Sequence, residues 1–567
     1  MAGQPEFDVI VVGSGISGGW AAKELTERGF KTLVIERGMN VEHGADYTGE
    51  GKAPWETEFR DRVDRNLAES DYPIQSKCYA FKETTKHFFV NDRENPYTQQ
   101  EGHPFTWIRG YHKGGKSVLW HRQSYRFGPQ DFESNARDGY GSDWPIRYED
   151  LAPWYDHVER FAGISGARDG VPQLPDGQFQ PPIEMNCAEV EIQRRIAETY
   201  DDRQLIVGRC AHLTEPTEEQ LELGRGRCQS RNQCQRGCSF GAYFSSLSAT
   251  LPAAERTGNL TMLTDAIVHS VIHDPKSGRA TGVRVINRLT KERSEHHARV
   301  IFICASTIGT TQVLLNSTSE AFPNGFANSS GALGHYLMDH LSMHGAYGIL
   351  EGFEEHYYKG RSPTGVYIPR FKNIKADDAD FLRGYGFQGG ASRAAWTSVA
   401  DQPGVGADLK AAVRKPGPWV FHIEGYGEML PRYENSISLN HNKLDQWGMP
   451  VLHIDCSLGD NDRKMLKDIV ETSTSMLKAI GLKDVGSYSD DSIAGMAIHE
   501  MGTARMGKDP KDSVLNRYNQ CHDVPNVFVT DGAAMASCAC QNPSLTYMAI
   551  TARAANYAAD QMQAGLL

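Results

Sequence analysis

At 567 residues the chain exceeds what one simple core holds, and length alone suggests about three or four domains. Composition is that of an ordinary globular protein, 40% hydrophobic and 23% charged, and a formal net charge of -12 without a basic tract argues against nucleic acid as a partner. No apolar run approaches the roughly 18 residues a membrane helix requires, so no membrane span is expected. The opening residues MAGQPEFDVIVVG run straight into a strand, and no export signal of the chain's own is expected.

Phe7–Val12 is an apolar, β-branched run followed by Gly13-Ser14-Gly15-Ile16-Ser17-Gly18 and then the helical pattern WAAKELTERG. A second strand, KTLVIERG, ends at Glu36. This is G-x-G-x-x-G between strand and helix, with an acid about 20 residues on. Gly13, Gly15 and Gly18 permit the tight turn and let backbone N–H groups approach a pyrophosphate, and Glu36 is placed for an adenosine ribose hydroxyl. Residues 43–99 are rich in charge and aromatic rings and read as a lid or insertion. In 109–126, RGYHKGGKSVLWHRQSYR, Gly114 and Gly115 permit a backbone bend against a flat ring. Residues 142–166 read as two short helices.

The run GRCQSRNQCQRGCSFGAYFSS holds Cys228, Cys234 and Cys238, spaced C-x5-C-x3-C, among eleven cysteines that are otherwise mostly scattered. Bunched thiols can supply the thiolates of an iron–sulfur cluster. Zinc sites use four ligands and C-x2–4-C pairs, and a disulfide would leave one odd thiol. Cys210, whose setting IVGRCAHLT reads as strand, could complete a four-iron cluster. Arg227, Arg231 and Arg236 would temper the charge of such a cluster. Further on, 335–494 holds alternating strands such as PWVFHIEGYGEM, AIHEMGTARMG holds His499, and Asn542-Pro543 precedes a helix beginning near Ser544. His335, His340 and His344 lie close in sequence but lack the carboxylate pattern of a metal site.

Four of these regions resemble the glucose–methanol–choline (GMC) oxidoreductase family: the N-terminal fingerprint, 109–126, the run RVIFICASTIGTTQVLLNS (299–317), and the chain from Ile498 onward. The resemblance implies an α/β fold: a Rossmann-type FAD domain assembled from discontinuous segments, plus an α+β substrate domain with an antiparallel sheet. The FAD domain would comprise 1–42, 100–130, 205–334 and 495–567, including the cysteine-rich segment 225–245. The lid would be 43–99, and the substrate domain 131–204 and 335–494. FAD would be held by Gly13, Gly15, Gly18, Glu36, Arg37, Gly114, Gly115, Ser117, Trp120, Asp531, Gly532, Asn542 and Ser544. Leu119 stands where some relatives carry a histidine bonded to the flavin, so non-covalent FAD is expected. His499 would be the general base and Asn542 would orient the substrate oxygen, since a hydride leaves a C–OH carbon most easily when the hydroxyl proton leaves too.

The cysteine spacing resembles that of bacterial FAD-dependent sugar dehydrogenases whose [3Fe-4S] cluster is held by three cysteines, here Cys228, Cys234 and Cys238. The resemblance to glucoside 3-dehydrogenases and gluconate 2-dehydrogenases implies oxidation of a secondary hydroxyl of a sugar or glycoside, first of all C3 of glucosides. Hydride would pass to flavin N5 and electrons through the cluster to a cytochrome c. A small subunit with a twin-arginine signal would carry the chain to the periplasm, a cytoplasmic location being the alternative. The same residues would serve a gluconate 2-, fructose or glucose C1 dehydrogenase, or a sugar oxidase using oxygen.

Overall fold

A computed structural model describes residues 6–356, 365–375, 379–394, 404–490 and 494–567. The leading residues MAGQP of the expected first strand entry lie outside them. The strand Phe7–Val12 pairs in parallel with Thr32–Ile35 on one side and Arg293–Ile303 on the other. Leu260–Leu263 and Val527–Val529 extend this sheet, also in parallel, and the antiparallel strands Arg279–Asn287 and Ala266–Asp274 complete it. The runs FDVIVV and TLVI are almost wholly apolar because parallel strands are covered on both faces, and Val9, Ile10, Val11 and Val34 are fully buried. Helices Ile16–Glu27 and Ser544–Gln563 pack together here through Ala21, Ala22, Ala554, Ala555 and Ala558, whose small side chains allow close approach.

The second large sheet is antiparallel, ordered Lys483–Ser489, His344–Leu350, Trp419–Glu428, Tyr385–Arg393, Val366–Ile368 and Ile206–Val207. Trp419–Glu428 shows its logic. Trp419, Phe421 and Ile423 are buried, whereas Val420, His422, Glu424 and Tyr426 alternate with them and are less covered. Helix Asp460–Ala479 supplies Met465, Leu466, Ile469, Met476 and Leu477 to the core that covers the apolar face. It approaches so closely that a Cβ on Gly425 would lie 2.5 Å from Ile469 Cγ2. The polar face, with His422, Glu424 and Tyr426, looks into a cavity instead.

The mixed α/β architecture expected from the sequence is therefore present: a parallel-centred sheet joined to an antiparallel one. Ser436–Leu444 and Pro450–Asp455 form a small separate sheet with Thr98–Gln99, a pairing no local pattern announces. The two short helices expected over 142–166 are one, Tyr148–Ala162. The preceding residues are committed to burying Trp144, whose Nε1 donates to Ser537 Oγ at 2.7 Å. Among the described residues no helix is long and apolar enough to cross a membrane.

Candidate active site

A cavity of about 1010 Å³ is walled by residues of both large sheets. At its dinucleotide end, a Cβ on Gly13 (φ +95°) would meet the Cys304 carbonyl oxygen at 2.4 Å, and one on Gly18 would meet the Gly13 carbonyl oxygen at 1.9 Å. Gly18 thus sets the strand-to-helix packing and does not line the cavity. Gly15 does line it, with open space beside it, and caps Ile16–Glu27 without a side-chain bond or an acid in the first turn. The first-turn N–H groups are left for an anion. Glu36 Oε2 accepts from Ser14 N (3.1 Å) and Ser14 Oγ (2.6 Å), and Oε1 from Gly38 N (2.9 Å). Burial raises its pKa against the pull of those bonds. Arg37 lines the same end, stacked over Tyr111.

Gly114 (φ +88°) stays behind the wall and donates its N–H to Ser14 Oγ at 3.0 Å, tying the 109–126 segment to the fingerprint. Gly115, Lys116, Ser117 and Trp120 line the cavity. Ser117 Oγ donates to the Gly114 carbonyl at 2.5 Å, and Trp120 Nε1 to the Phe244 carbonyl at 2.9 Å. Asp531, just past strand Val527–Val529, accepts from Thr310 Oγ1 (2.5 Å) and Ala533 N (3.0 Å), and burial pushes its carboxyl up to about 6. Gly532 leaves no room for a side chain, since a Cβ would lie 2.4 Å from Thr307 Oγ1. Ser544 opens the last helix, whose N-terminus also has no side-chain cap. Asp531, Gly532 and Ser544 all line the cavity. Two uncapped helix ends, a glycine turn that excludes side chains and a buried acid on the second strand fit FAD.

His499 and Asn542 meet in the corner beneath the antiparallel sheet. His499 Nε2 lies 3.4 Å from Asn542 Nδ2, and His499 Nδ1 lies 2.8 Å from His340 Nδ1. Gln388 Nε2 donates to Asn542 Oδ1 at 2.6 Å, which turns the amide nitrogen of Asn542 toward His499. Asp339 accepts the backbone N–H groups of His499 (2.9 Å) and Ala497 (3.1 Å). Burial pushes its carboxyl up to about 7, helped by nearby Glu500. Burial, then His340, Lys116 and His121, hold the His499 pKa well below 6.5. His499 is a neutral imidazole at physiological pH, the form that takes a proton. His335 and His344 turn elsewhere, to the Tyr433 and Ser342 carbonyls. Sequence reasoning missed Gln388 and Tyr426, for which no motif signal exists, and gave no role to Asp339, although it stands beside His340 in the run GHYLMDH.

Cys228, Cys234 and Cys238 lie outside the cavity wall, unbridged and half-buried. Glu50 accepts from Ser239 N at 2.9 Å and pairs with Arg231, and Arg236 pairs with Asp61 at 2.9 Å, so two of the loop's arginines are engaged by 43–99. Cys234 Sγ is 3.6 Å from His212 Nε2. Burial raises the Cys234 thiol and pushes Cys228 up to about 11. Among the described residues, no three His, Cys, Asp or Glu side chains are grouped to hold a metal ion. As placed, the three thiols do not form the expected ligand set. One neighbouring charge opposes that burial at Cys234. Arg122, buried between cavity and loop, has no hydrogen-bond partner of standard geometry on any guanidinium nitrogen, and its charge pulls the Cys234 thiol down. Cys210, packed 3.3 Å from Ser165 Oγ, is fully buried.

The GMC oxidoreductase family models match residues 7–342 and 431–551. The chain is 29% identical to a 2-methyl-1,2-propanediol dehydrogenase of Mycolicibacterium austroafricanum, over 97% of this chain and 95% of that protein. It is 25% identical to the fructose dehydrogenase large subunit of Gluconobacter japonicus, over 98% of both. Among solved structures it resembles pyridoxine 4-oxidase from Mesorbium loti, with a TM-score of 0.62 at 17% identity over 97% of this chain and 99% of that one. With the dinucleotide cradle, the neutral histidine and both family models in agreement, the chain belongs to the GMC oxidoreductases, FAD-dependent enzymes that act on CH–OH groups.

Proposed function

We propose that the protein is a dehydrogenase that oxidises a secondary hydroxyl of a sugar or glycoside, with C3 of glucosides as the first candidate. The observation that carries this reading is the shared corner of His499 and Asn542 at the end of the FAD cradle, under a polar sheet face. His422, Glu424, Tyr426 and Gln388 line that face. Alternating donors and acceptors on a flat wall suit a ring bearing several hydroxyls. His499 Nε2 accepts the hydroxyl proton while Asn542 Nδ2 holds the oxygen from which it departs. FAD, when bound, supplies the acceptor for the hydride that leaves the carbinol carbon. Lys116, paired with Glu500 at 2.9 Å, places a fixed positive charge on the same wall.

The proposal extends to an acceptor other than NAD or oxygen. The three unbridged thiols on one loop, the buried positive charge of Arg122 beside Cys234 and the similarity to a dehydrogenase large subunit support a [3Fe-4S] cluster at Cys228, Cys234 and Cys238. A cytochrome c and a small twin-arginine-exported subunit, with a periplasmic location, complete it. The test is purification with the products of neighbouring genes, quantification of iron and flavin, and identification of the oxidised carbon on a panel of glycosides, gluconate, fructose, glucose and a 1,2-diol. A 3-keto product with about three iron atoms per flavin supports the whole reading. Oxidation at C1 or C2 moves it to the sibling sugar dehydrogenases. Rapid peroxide formation without iron makes the protein an oxidase.

A further inference from the structure

His340 lies outside the main cavity wall, yet it is buried and bonded at both ring nitrogens. Its Nε2 stands 3.0 Å from the Ala539 carbonyl oxygen. A carbonyl can only accept, so His340 Nε2 carries the hydrogen. Burial holds the ring's pKa down at about 4, so it is neutral and its Nδ1 is a lone pair. That lone pair faces His499 Nδ1 at 2.8 Å with the rings nearly perpendicular, at 89°. Two lone pairs cannot meet at that distance, so His499 carries its hydrogen on Nδ1. A neutral imidazole has one N–H, which leaves His499 Nε2 bare, toward Asn542 and the cavity.

We infer that His340 is a positioning residue that fixes the tautomer of His499: the Ala539 carbonyl orients His340, and His340 presents the proton-accepting nitrogen of His499 to the substrate. The inference rests on His499 being the base of the reaction proposed above. The arrangement differs in kind from a histidine braced by a carboxylate. A carboxylate stabilises the imidazolium formed on proton uptake. A neutral imidazole accepts the same N–H without adding a negative charge, so His499 stays a weak base that readily gives its proton up again. The carboxylate of Asp339, next to His340 in the chain, spends its oxygens on backbone N–H groups of 497 and 499 and so holds the loop in place. Ala539 has φ +53°, a left-handed conformation uncommon for a residue with a Cβ, on the short segment between Asp531 and Asn542. The segment carrying the orienting carbonyl is thus continuous with the one that delivers Asn542.

Three substitutions test the assignment, read as the limiting rate of anaerobic flavin reduction at saturating substrate. The amide oxygen of His340→Asn takes the place of Nδ1 and can still accept from His499. His340→Gln reaches the position of Nε2 instead, and His340→Leu offers no acceptor. We expect the Leu and Gln variants to lose about 10²-fold or more, the Asn variant to stay within about tenfold of the native rate, and half-saturation to move less than about threefold in all three. If the Leu variant does not hold flavin, the Asn and Gln pair decides, since both are polar and of similar bulk. Equal losses in Asn and Gln, no loss in either, or a loss confined to half-saturation would overturn the inference. His499→Ala runs alongside: if it keeps the native rate, the reading of His499 as base fails. If it is slow while the His340 variants are not, only the role of His340 fails.

Discussion

The His499 corner and the cysteine loop both announce themselves in the sequence, yet the chain finishes only one of them. In the corner the protein itself positions the reacting groups: Gln388 sets Asn542, His340 faces His499, and Asp339 holds the backbone. On the loop the three thiols are unbridged, lack a ligand geometry among the described residues, and lie beside the buried Arg122 guanidinium, which stacks over Tyr243. A site that performs proton transfer must be preorganised by the protein itself, because hydrogen bonds in a buried corner cost nothing further to arrange during reaction. On the loop, Glu50 and Asp61 fix Arg231, Arg236 and the Ser239 N–H, and none of these bonds gathers the three thiols about a common point.

This contrast can be broken from several sides. Away from the two histidines, the dinucleotide cradle is where cofactor content itself is at stake. Gly18→Ala drives a methyl into the Gly13 carbonyl at 1.9 Å, and the flavin content of the purified chain should fall at least about tenfold by absorbance. Asn542→Ala should keep the flavin spectrum but slow anaerobic flavin reduction about 10- to 100-fold, as the oxygen of the substrate loses its donor. The pH profile sharpens the claim of preorganisation. His499 must be neutral to accept a proton, and burial with neighbouring charge places its pKa well below 6.5. The acidic limb of kcat/KM should therefore lie below that value, with activity at pH 6.5 within about twofold of the plateau. The smallest effect is expected on the other side of the comparison. Cys228→Ser should change anaerobic flavin reduction by substrate less than about twofold, while any iron in the preparation is lost.

The two regions also differ in how much the sequence reveals. Glycines 13, 15 and 18 are legible because their roles are local: a turn, an open helix end and a close contact within one strand–helix unit. His499 and Asn542 are legible through a matched motif. Gln388 is not, because it meets Asn542 across 154 residues from a strand whose inward face only the sheet register defines. His340 is visible as a histidine in GHYLMDH, but its bond to His499 across 159 residues and to Ala539 across 199 is a product of the fold. The cysteine spacing is the reverse case. Thiols can be counted from the sequence, whereas their convergence depends on the side-chain geometry of a loop pinned by Glu50 and Asp61 from a distant segment.

The central claim is that His499 removes the hydroxyl proton from an alcohol held at the end of an FAD cradle. Anaerobic stopped-flow reduction of the flavin in His499→Ala, with a sugar or glycoside that reduces the native protein, tests it most directly. Normal flavin content and a limiting rate lower by about 10²- to 10⁴-fold are expected. A variant that holds its flavin and is reduced at the native rate would contradict it.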